Sequence, residues 1–506
     1  MTTAVIAEKP SVARDLAAAL GATRRGEGCF TGGGYIVTWA IGHLVALAQP
    51  HEIDPAWKRW SLHTLPMLPA RFPLVVVPDT RDQFSVVRRV LGDRSVTQVI
   101  CATDAGREGE LIFRYIYEAA ACTKPVRRLW ISSLTPDAIH DGLSRLRSSD
   151  EYDGLADAAR GRSRADWLVG MNLSRAYSLV FDQDLSVGRV QTPTLAILVE
   201  RELAIRDFVP EDYLEVQARF QPITSTPVAY VGTWFRAPTR GERKDDETPR
   251  RRLPADGVEA AAIVARALAG QAAIASIKAE TRAIPPPLLY DLTELQRHAN
   301  RLYGLSAQKT LDVAQALYER HKLISYPRTD SRHLSTDIAA TLAPVTAAIR
   351  GRYPGLVAPG TGETPLGRRF VDDARVSDHH ALLPTATPAR AGALTADEQK
   401  IYDLICRRLL AAWHADYVYS ATTVITAITS PGPPAIVDTY ESRGTAVQSP
   451  GWKELEVGHG KPPAKPRRKP DPAADAQDPA DQALPPGLAR GQPQQVQGAT
   501  AVAKQT

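Results

Sequence analysis

An α/β module followed by lobes that mix helices with β-strands is the fold class that three features of this sequence predict. Twice near the N-terminus, at residues 3–20 and 98–116, an apolar strand-like run leads through a short polar loop into apolar residues at helical spacing, the pattern of open α/β sheets. Residues 213–235 alternate apolar and polar side chains, as in Leu214-Glu215-Val216-Gln217-Ala218-Arg219-Phe220, the two-residue period of antiparallel strands. Residues 292–302, 306–318 and 396–413 return to helical spacing, with Ser306 placed to cap the second. At 506 residues the chain has room for roughly three or four packing units.

Composition narrows the function classes. Hydrophobic residues make up 44% and charged residues 23%, and no apolar run reaches the roughly 18 residues of a membrane span. No membrane partner is expected. The N-terminus enters a strand-like run without the basic, apolar and small-residue order of a secretory signal, so a cytoplasmic protein is expected. Cys29, Cys101, Cys122 and Cys406 lie far apart with no C-x-x-C pair, which gives no support to a disulfide framework or a zinc ribbon. A formal charge of +5 permits a nucleic-acid partner without demanding one. No G-x-x-x-x-G-K-[ST] occurs, so no phosphate-binding loop of that kind is expected.

In order along the chain, residues 3–7 predict a strand, Glu8-Lys9-Pro10-Ser11 a loop, and residues 12–20 a helix that stops at Gly21. The second unit runs from residues 98–103 through Asp104-Ala105-Gly106-Arg107-Glu108-Gly109-Glu110 into the helical 111–116. Functional groups of open α/β sheets gather at the carboxyl ends of strands, where Glu8 and Asp104 both fall. Together with Glu108 they would form an oxygen-rich cage suited to Mg²⁺, which takes a few carboxylates and keeps several waters. Acidic residues at a helix start also simply cap it and complement its dipole, and on local chemistry that is the commoner role.

Residues 160–175 predict a helix in which Arg160, Arg164 and, some turns on, Arg175 line a face away from Leu168 and Met171. Arginines beside Trp167 suit a single-stranded backbone with stacked bases; a solvated basic face has the same signature and is commoner. In the next stretch Gly188 lets backbone approach a phosphate, Arg189 supplies charge, and Ser186, Gln191 and Thr192 supply neutral donors. Residues 240–254, charged and proline-bearing, predict a loop, and Pro285-Pro286-Pro287 marks a boundary.

The segment Ile324-Ser325-Tyr326-Pro327-Arg328-Thr329-Asp330-Ser331 carries the most distinctive chemistry. The residue before a proline is pushed into extended backbone, where side chains two apart project to the same side. Tyr326 and Arg328 therefore face one target. A phenolate is a nucleophile for in-line attack on a phosphodiester, and a planar guanidinium takes up charge on the phosphate oxygens. The chain has 16 tyrosines, most of them expected to be packing residues with one hydroxyl contact, and local chemistry alone favours that role.

This segment resembles the active-site run of type IA DNA topoisomerases, and the surrounding chain most resembles the bacterial topoisomerase III branch. Glu8-Lys9-Pro10-Ser11 and residues 102–110 are similar to the two signatures of the Toprim domain, an α/β metal-binding module. Ser186-Val187-Gly188-Arg189-Val190-Gln191-Thr192 is similar to the family segment that binds the cleaved strand, and Asp378-His379-His380-Ala381 to its D-H-H-A run, which puts His379 against a phosphate or nucleotide. The resemblance implies a multidomain toroid: a Toprim domain at residues 1–150 with a base segment inserted at about 30–65, a helical single-strand-binding base at 151–210, and a β-rich arch at 211–280 and 416–456. A tyrosine-bearing helical lobe is expected at 281–415, a disordered insertion rich in proline, alanine and charge at 457–483, and a last arch strand at 484–506. The chain then stops before the family's closing helical segment, so an incomplete torus is expected.

The activity implied is ATP-independent cleavage and rejoining of one DNA strand through a 5′-phosphotyrosyl intermediate, relaxing negative supercoils or decatenating DNA. Tyr326 is the expected nucleophile; Arg328 and Lys9 stabilise the transferring phosphoryl group, and Glu8 donates a proton to the leaving 3′ oxygen. Glu8, Asp104 and Glu108 are the expected Mg²⁺ ligands, and because Gly106 stands where many relatives have a middle carboxylate, one weakly held ion is expected. Ser186, Val187, Gly188, Arg189, Val190, Gln191, Thr192, Arg160, Arg164, Trp167, Arg175, His43, Trp60 and His379 are the expected DNA contacts; for His43 a structural hydrogen bond is an equal alternative. Partners implied are single-stranded or underwound DNA and a helicase, with the chain acting as a monomer. Two other readings share parts of this pattern: a Toprim nuclease or primase-like protein, and a truncated or inactive single-strand binder.

Overall fold

The computed structural model describes residues 2–131, 136–223, 228–236, 251–376, 379–390, 392–458 and 482–506. It divides into two compact units, Met1–Ile205 with Leu288–Ala412, and Arg206–Pro287 with Trp413–Thr506.

The chain begins in the first unit with β1 (Thr2–Ala7), α1 (Pro10–Ala19), β2 (Arg24–Gly26), β3 (Cys29–Gly32), β4 (Tyr35–Trp39), β5 (Val45–Leu47), α2 (Pro50–Ile53) and β6 (Leu74–Val76). It continues through α3 (Arg81–Gly92), β7 (Val96–Ala102), α4 (Arg107–Ala119), β8 (Val126–Arg128), α5 (Pro136–Ser144), β9 (Arg147–Ser148), α6 (Asp153–Phe181) and α7 (Gln191–Arg206). The second unit takes β10 (Asp212–Pro222), β11 (Tyr230–Phe235), β12 (Leu253–Pro254), α8 (Val258–Ala269) and β13 (Gln271–Ile284). The first unit resumes with α9 (Leu292–Tyr303), α10 (Ala307–Glu319), α11 (Thr336–Ala339), α12 (Leu342–Arg350) and α13 (Ala396–Ala411), and the second ends with β14 (Tyr417–Thr429), β15 (Val437–Ser449) and β16 (Pro493–Gln505).

The N-terminal sheet runs β2-β3-β4-β1-β7-β8-β9, with β1 parallel to both β4 and β7 and β7 parallel to β8. Its central strands are apolar on both faces because helices cover both. Phe84, Val87, Leu111, Ile112 and Phe113 from α3 and α4 pack on one side, and Val12, Leu16 and Ile139 from α1 and α5 on the other. The hairpin of β3 and β4 turns through Gly32, Gly33 and Gly34, all at positive φ. A Cβ at Gly33 would lie 2.4 Å from the Leu20 carbonyl oxygen, so only glycine fits that turn. Because β4 pairs along β1, residues 29–39 belong to the sheet itself. The segment expected to leave the domain at about residue 30 therefore departs only after Trp39.

In the tyrosine-bearing part, three helix starts are capped as their residues require: Asp291 accepts from Glu294 N, Ser306 from Lys309 N, and Thr395 forms a reciprocal box with Glu398. Leu295, Ala299, Val313, Ala314, Leu317, Ile401, Leu404, Ile405 and Leu409 are buried on α9, α10 and α13, at the three- and four-residue spacing that aligns them on one face of each helix.

The second unit is an antiparallel sheet in the order β11-β15-β14-β13-β16-β10-β12, and β10 also pairs with β11, so the ladder closes on itself. Phe220, Tyr230 and Tyr440 fill its interior with Ile263 and Ala267 of α8. The last strand, β16, pairs with β10 along its length and with β13 at two positions. Of the stretch expected to be disordered, residues 459–481 lie outside the described residues, whereas Gln482 bonds both backbone groups of Val231. Among the described residues no helix is long and apolar enough to cross a membrane.

Candidate active site

β1 and β7 are neighbours in register, Ala7 beside Ala102, so Glu8 and Asp104, each just past a strand end, converge. The Asp104 amide donates to Glu8 Oε2 at 3.2 Å. Lys9 spans the pair, its Nζ 2.6 Å from Asp104 Oδ2 and 3.5 Å from Glu8 Oε1. The same ammonium stands 4.1 Å from the centroid of the Tyr326 ring. His379 closes another side, its ring 4.6 Å from that of Tyr326 and its Nε2 3.4 Å from Asp104 Oδ2. A phenol ring from the middle of the chain thus packs on the lysine from its beginning that pairs with Glu8 and Asp104.

Local sequence puts Tyr326 there. Ile324 bridges Pro384, Ser325 N donates to Leu383 O at 2.8 Å, and Leu383 N donates back to Ser325 Oγ at 3.0 Å. Pro327 follows, so the backbone stays out of the helical region. Thr329, buried, donates through Oγ1 to the His379 carbonyl at 3.0 Å, so the segment that carries the tyrosine also fixes the histidine. Tyr318 of α10 meets the Tyr326 ring edge-on at 5.4 Å, and Arg328 is exposed, with its charge acting on the phenol.

Electrostatics separate the two carboxyls. Burial, then the charge of Asp104, raises the Glu8 pKa despite Lys9. Burial would also raise Asp104, but the His379 hydrogen bond and the Lys9 ammonium outweigh it and hold Asp104 well below the usual carboxylate range. The two shifts run in opposite directions, the separation that an acid and a charge-stabiliser need. Burial raises the Tyr326 pKa, with Lys9 and Arg328 pulling the other way.

Glu108, at the start of α4, is turned away from this cluster. Its Oε1 lies 2.7 Å from His43 Nε2, and that bond lowers its pKa. Three carboxylates suit a hard cation by donor type. As arranged, however, no group of three acidic, histidine or cysteine side chains among the described residues is close enough to hold one.

The expected DNA contacts divide into two sets. The loop between α6 and α7 is tied to both helices: Gln191 Nε2 donates to Ser186 Oγ at 2.7 Å, Gly188 N to Thr192 Oγ1 at 3.0 Å, and Val187 N to Ser174 Oγ at 2.9 Å. Arg189 pairs with Asp166 at 2.8 Å, and Val190 is exposed. Two residues expected on an exposed basic face are instead buried. Trp167 is 6% exposed and donates to Ala48 O, and Arg175, also 6% exposed, donates to Trp57 O at 2.7 Å. Both turn toward the segment following β4, which lies over α6; the helical pattern could not show that α6 has a covered side. Arg160 pairs with Asp157 and Glu118, Arg164 lies over Phe72, and Trp60 is exposed with Arg175 beneath its ring. His43 is committed to Glu108.

Sequence reading missed Arg128, a fully buried arginine at the end of β8. Its signal was a charged pair, Arg127-Arg128, inside the apolar run Val126 to Trp130.

A profile described as DNA topoisomerase matches residues 150–506, and a Toprim domain profile matches residues 3–134. The chain belongs to the type IA DNA topoisomerase family. DNA topoisomerase 3 of Shouchella clausii (strain KSM-K16) is 44% identical over 458 residues, 90% of this chain and 60% of the relative. DNA topoisomerase 3 of Bacillus subtilis (strain 168) is 42% identical over 458 residues, 90% of this chain and 59% of the relative. The chain thus spans about 60% of the length of these topoisomerase III relatives. The structure of full-length topoisomerase I from Thermotoga maritima has the same fold, with a TM-score of 0.63 at 20% identity over 99% of this chain and 72% of that one.

Proposed function

We propose that this chain breaks and rejoins one strand of single-stranded or underwound DNA through a phosphotyrosine at Tyr326, relaxing negative supercoils or decatenating DNA. The observation that carries this reading is the contact of the Tyr326 ring with Lys9, beside Glu8 and Asp104. Tyr326 Oη attacks the phosphorus: an O–P bond forms to tyrosine, the P–O3′ bond breaks, and the phenolic proton passes to solvent. Glu8, whose raised pKa favours a held proton, gives that proton to the departing 3′ oxygen. Lys9 and Arg328 take up charge on the phosphate oxygens. In reverse, the 3′ hydroxyl returns its proton to Glu8, attacks the phosphotyrosine and frees the phenol. Bond energy is conserved in the linkage, so neither ATP nor hydrolysis enters.

Toprim domains bind Mg²⁺ in general; here Glu8, Asp104 and Glu108 would hold one ion, which would neutralise phosphate charge. Ser186, Gly188, Arg189, Gln191 and Thr192 bind the strand backbone, with Arg160, Arg164, Trp60 and His379 beside it. We place the protein in the cytoplasm as a monomer, with a helicase as the source of unwound DNA.

The test is denaturant trapping of a single-stranded oligonucleotide labelled at its 3′ end. Tyr326→Phe is expected to abolish the covalent complex while binding survives; trapping by that variant refutes the assignment. Negatively supercoiled plasmid with Mg²⁺ separates the rivals: stepwise relaxation supports strand transfer, nicking a Toprim nuclease, and binding alone an inactive single-strand binder.

A further inference from the structure

We propose that Arg128 is a positioning residue: its guanidinium fixes the backbone that aims Asp104 and, through Glu110, the helical turn that carries Glu108. This rests on the reading of Glu8, Asp104 and Glu108 as the acidic site. Arg128 is 1% exposed, and no phosphate could reach it. Its Nη1 donates to the carbonyls of Cys101 at 3.1 Å, Thr103 at 2.7 Å and Leu129 at 2.9 Å, and its Nη2 to that of Asp104 at 2.7 Å. Three of these four carbonyls belong to the end of β7 and the turn after it. Cys101 O also accepts from Leu129 N at 2.9 Å and Asp104 O from Gly106 N at 2.8 Å; all three carbonyls converge on one planar fork.

The remaining edge of the fork faces Glu110, also 1% exposed, with Nε 3.1 Å from Oε2. Glu110 Oε1 accepts from Arg114 Nε at 2.8 Å, and Arg114 reaches on to Asp153 and the Ser149 carbonyl. Glu110 is two residues beyond Glu108 in the first turn of α4. Strand end and helix start are therefore tied to one buried cation, and α4 begins directly on the Asp104 backbone, where a Cβ at Gly109 would meet the Asp104 carbonyl oxygen at 2.2 Å. Lysine would keep the charge but not the geometry: an ammonium has three donors at one point, too few for the four carbonyls.

The test uses the full chain and Mn²⁺ alone as probe, with binding read by electron paramagnetic resonance. Arg128→Lys is expected to weaken Mn²⁺ binding by about 10- to 100-fold, as losing an outer-shell support of a metal ligand does. Amide hydrogen exchange should rise in residues 101–110 and not in the tyrosine segment, with single-stranded DNA binding unchanged. A purely structural role would raise exchange throughout the domain. Wild-type Mn²⁺ affinity in the folded variant overturns the proposal, as does domain-wide exchange or a wild-type chain that binds no Mn²⁺. If Arg128→Lys does not fold, Glu110→Gln decides: an amide offers one oxygen where Arg114 and Arg128 each face one, so Mn²⁺ binding should again weaken, and unchanged affinity contradicts the account. Failure of strand transfer itself would appear separately, as a wild-type chain that forms no Tyr326 adduct whatever its Mn²⁺ affinity.

Discussion

Replacing Lys9 with methionine removes one charge and little volume from the centre of the site. The lost ammonium lies 2.6 Å from Asp104, 3.5 Å from Glu8 and 4.1 Å from the Tyr326 ring. At about 4 Å and an effective dielectric near 20, two unit charges interact by about 4 kcal/mol. Glu8 and Asp104 already draw on the same cation, so the full figure is not available to the reaction. Loss of one preorganised electrostatic group costs about 2.7–4 kcal/mol, or 10²- to 10³-fold in rate, and that is the loss expected in single-turnover covalent trapping. Lys9 also lowers the Tyr326 pKa against burial, so the variant should need higher pH to reach a given rate. Fluorescence anisotropy with the same oligonucleotide should show binding largely retained. Adduct formation within threefold of wild type, or a rate loss matched by lost binding, would refute this role for Lys9.

Gly109→Ala would put a Cβ 2.2 Å from the Asp104 carbonyl oxygen; thermal denaturation should show a loss of about 1–3 kcal/mol together with weakened trapping, and wild-type behaviour in both would contradict the packing described. Arg189→Ala should reduce the slope of log affinity against log salt for single-stranded DNA by about 0.7, and an unchanged slope would remove Arg189 from the phosphate contacts. Burial would raise Glu398, but the Thr395 cap bonds and Arg320 hold it at about 2 against an ordinary 4.5. A depressed carboxyl stabilises the fold above its unfolded pKa, and that contribution is lost as pH falls from 4.5 toward about 2. Glu398→Gln should therefore melt lower than wild type at neutral pH, by about 1–2 kcal/mol, and the difference should close in acid; a gap that persists to about pH 2 contradicts this.

Much of the candidate site was legible because its residues follow strand ends or flank a proline. Glu8 and Asp104 could be located by counting along β1 and β7, and Pro327 dictated the backbone at Tyr326. The helix cap at Ser306 was equally local. What one segment could not reveal was the other side of each element. Trp167 and Arg175 read as an exposed basic face because the pattern of α6 does not record the chain that covers it. His43 read evenly as DNA contact or structural histidine because its partner, Glu108, lies 65 residues away. Only the pairing of β4 with β1 shows that the hairpin through Gly32, Gly33 and Gly34 stays in the sheet. Arg128 was missed for the same reason: its acceptors are carbonyls, which sequence does not distinguish.

The most direct measurement is mass spectrometry of peptides from the chain after denaturant trapping on single-stranded DNA and nuclease digestion. The account requires a residual nucleotide linked through its 5′ phosphate to the peptide containing Tyr326, absent when that residue is phenylalanine. A nucleotide on any other residue, or an adduct that persists in the phenylalanine variant, contradicts it.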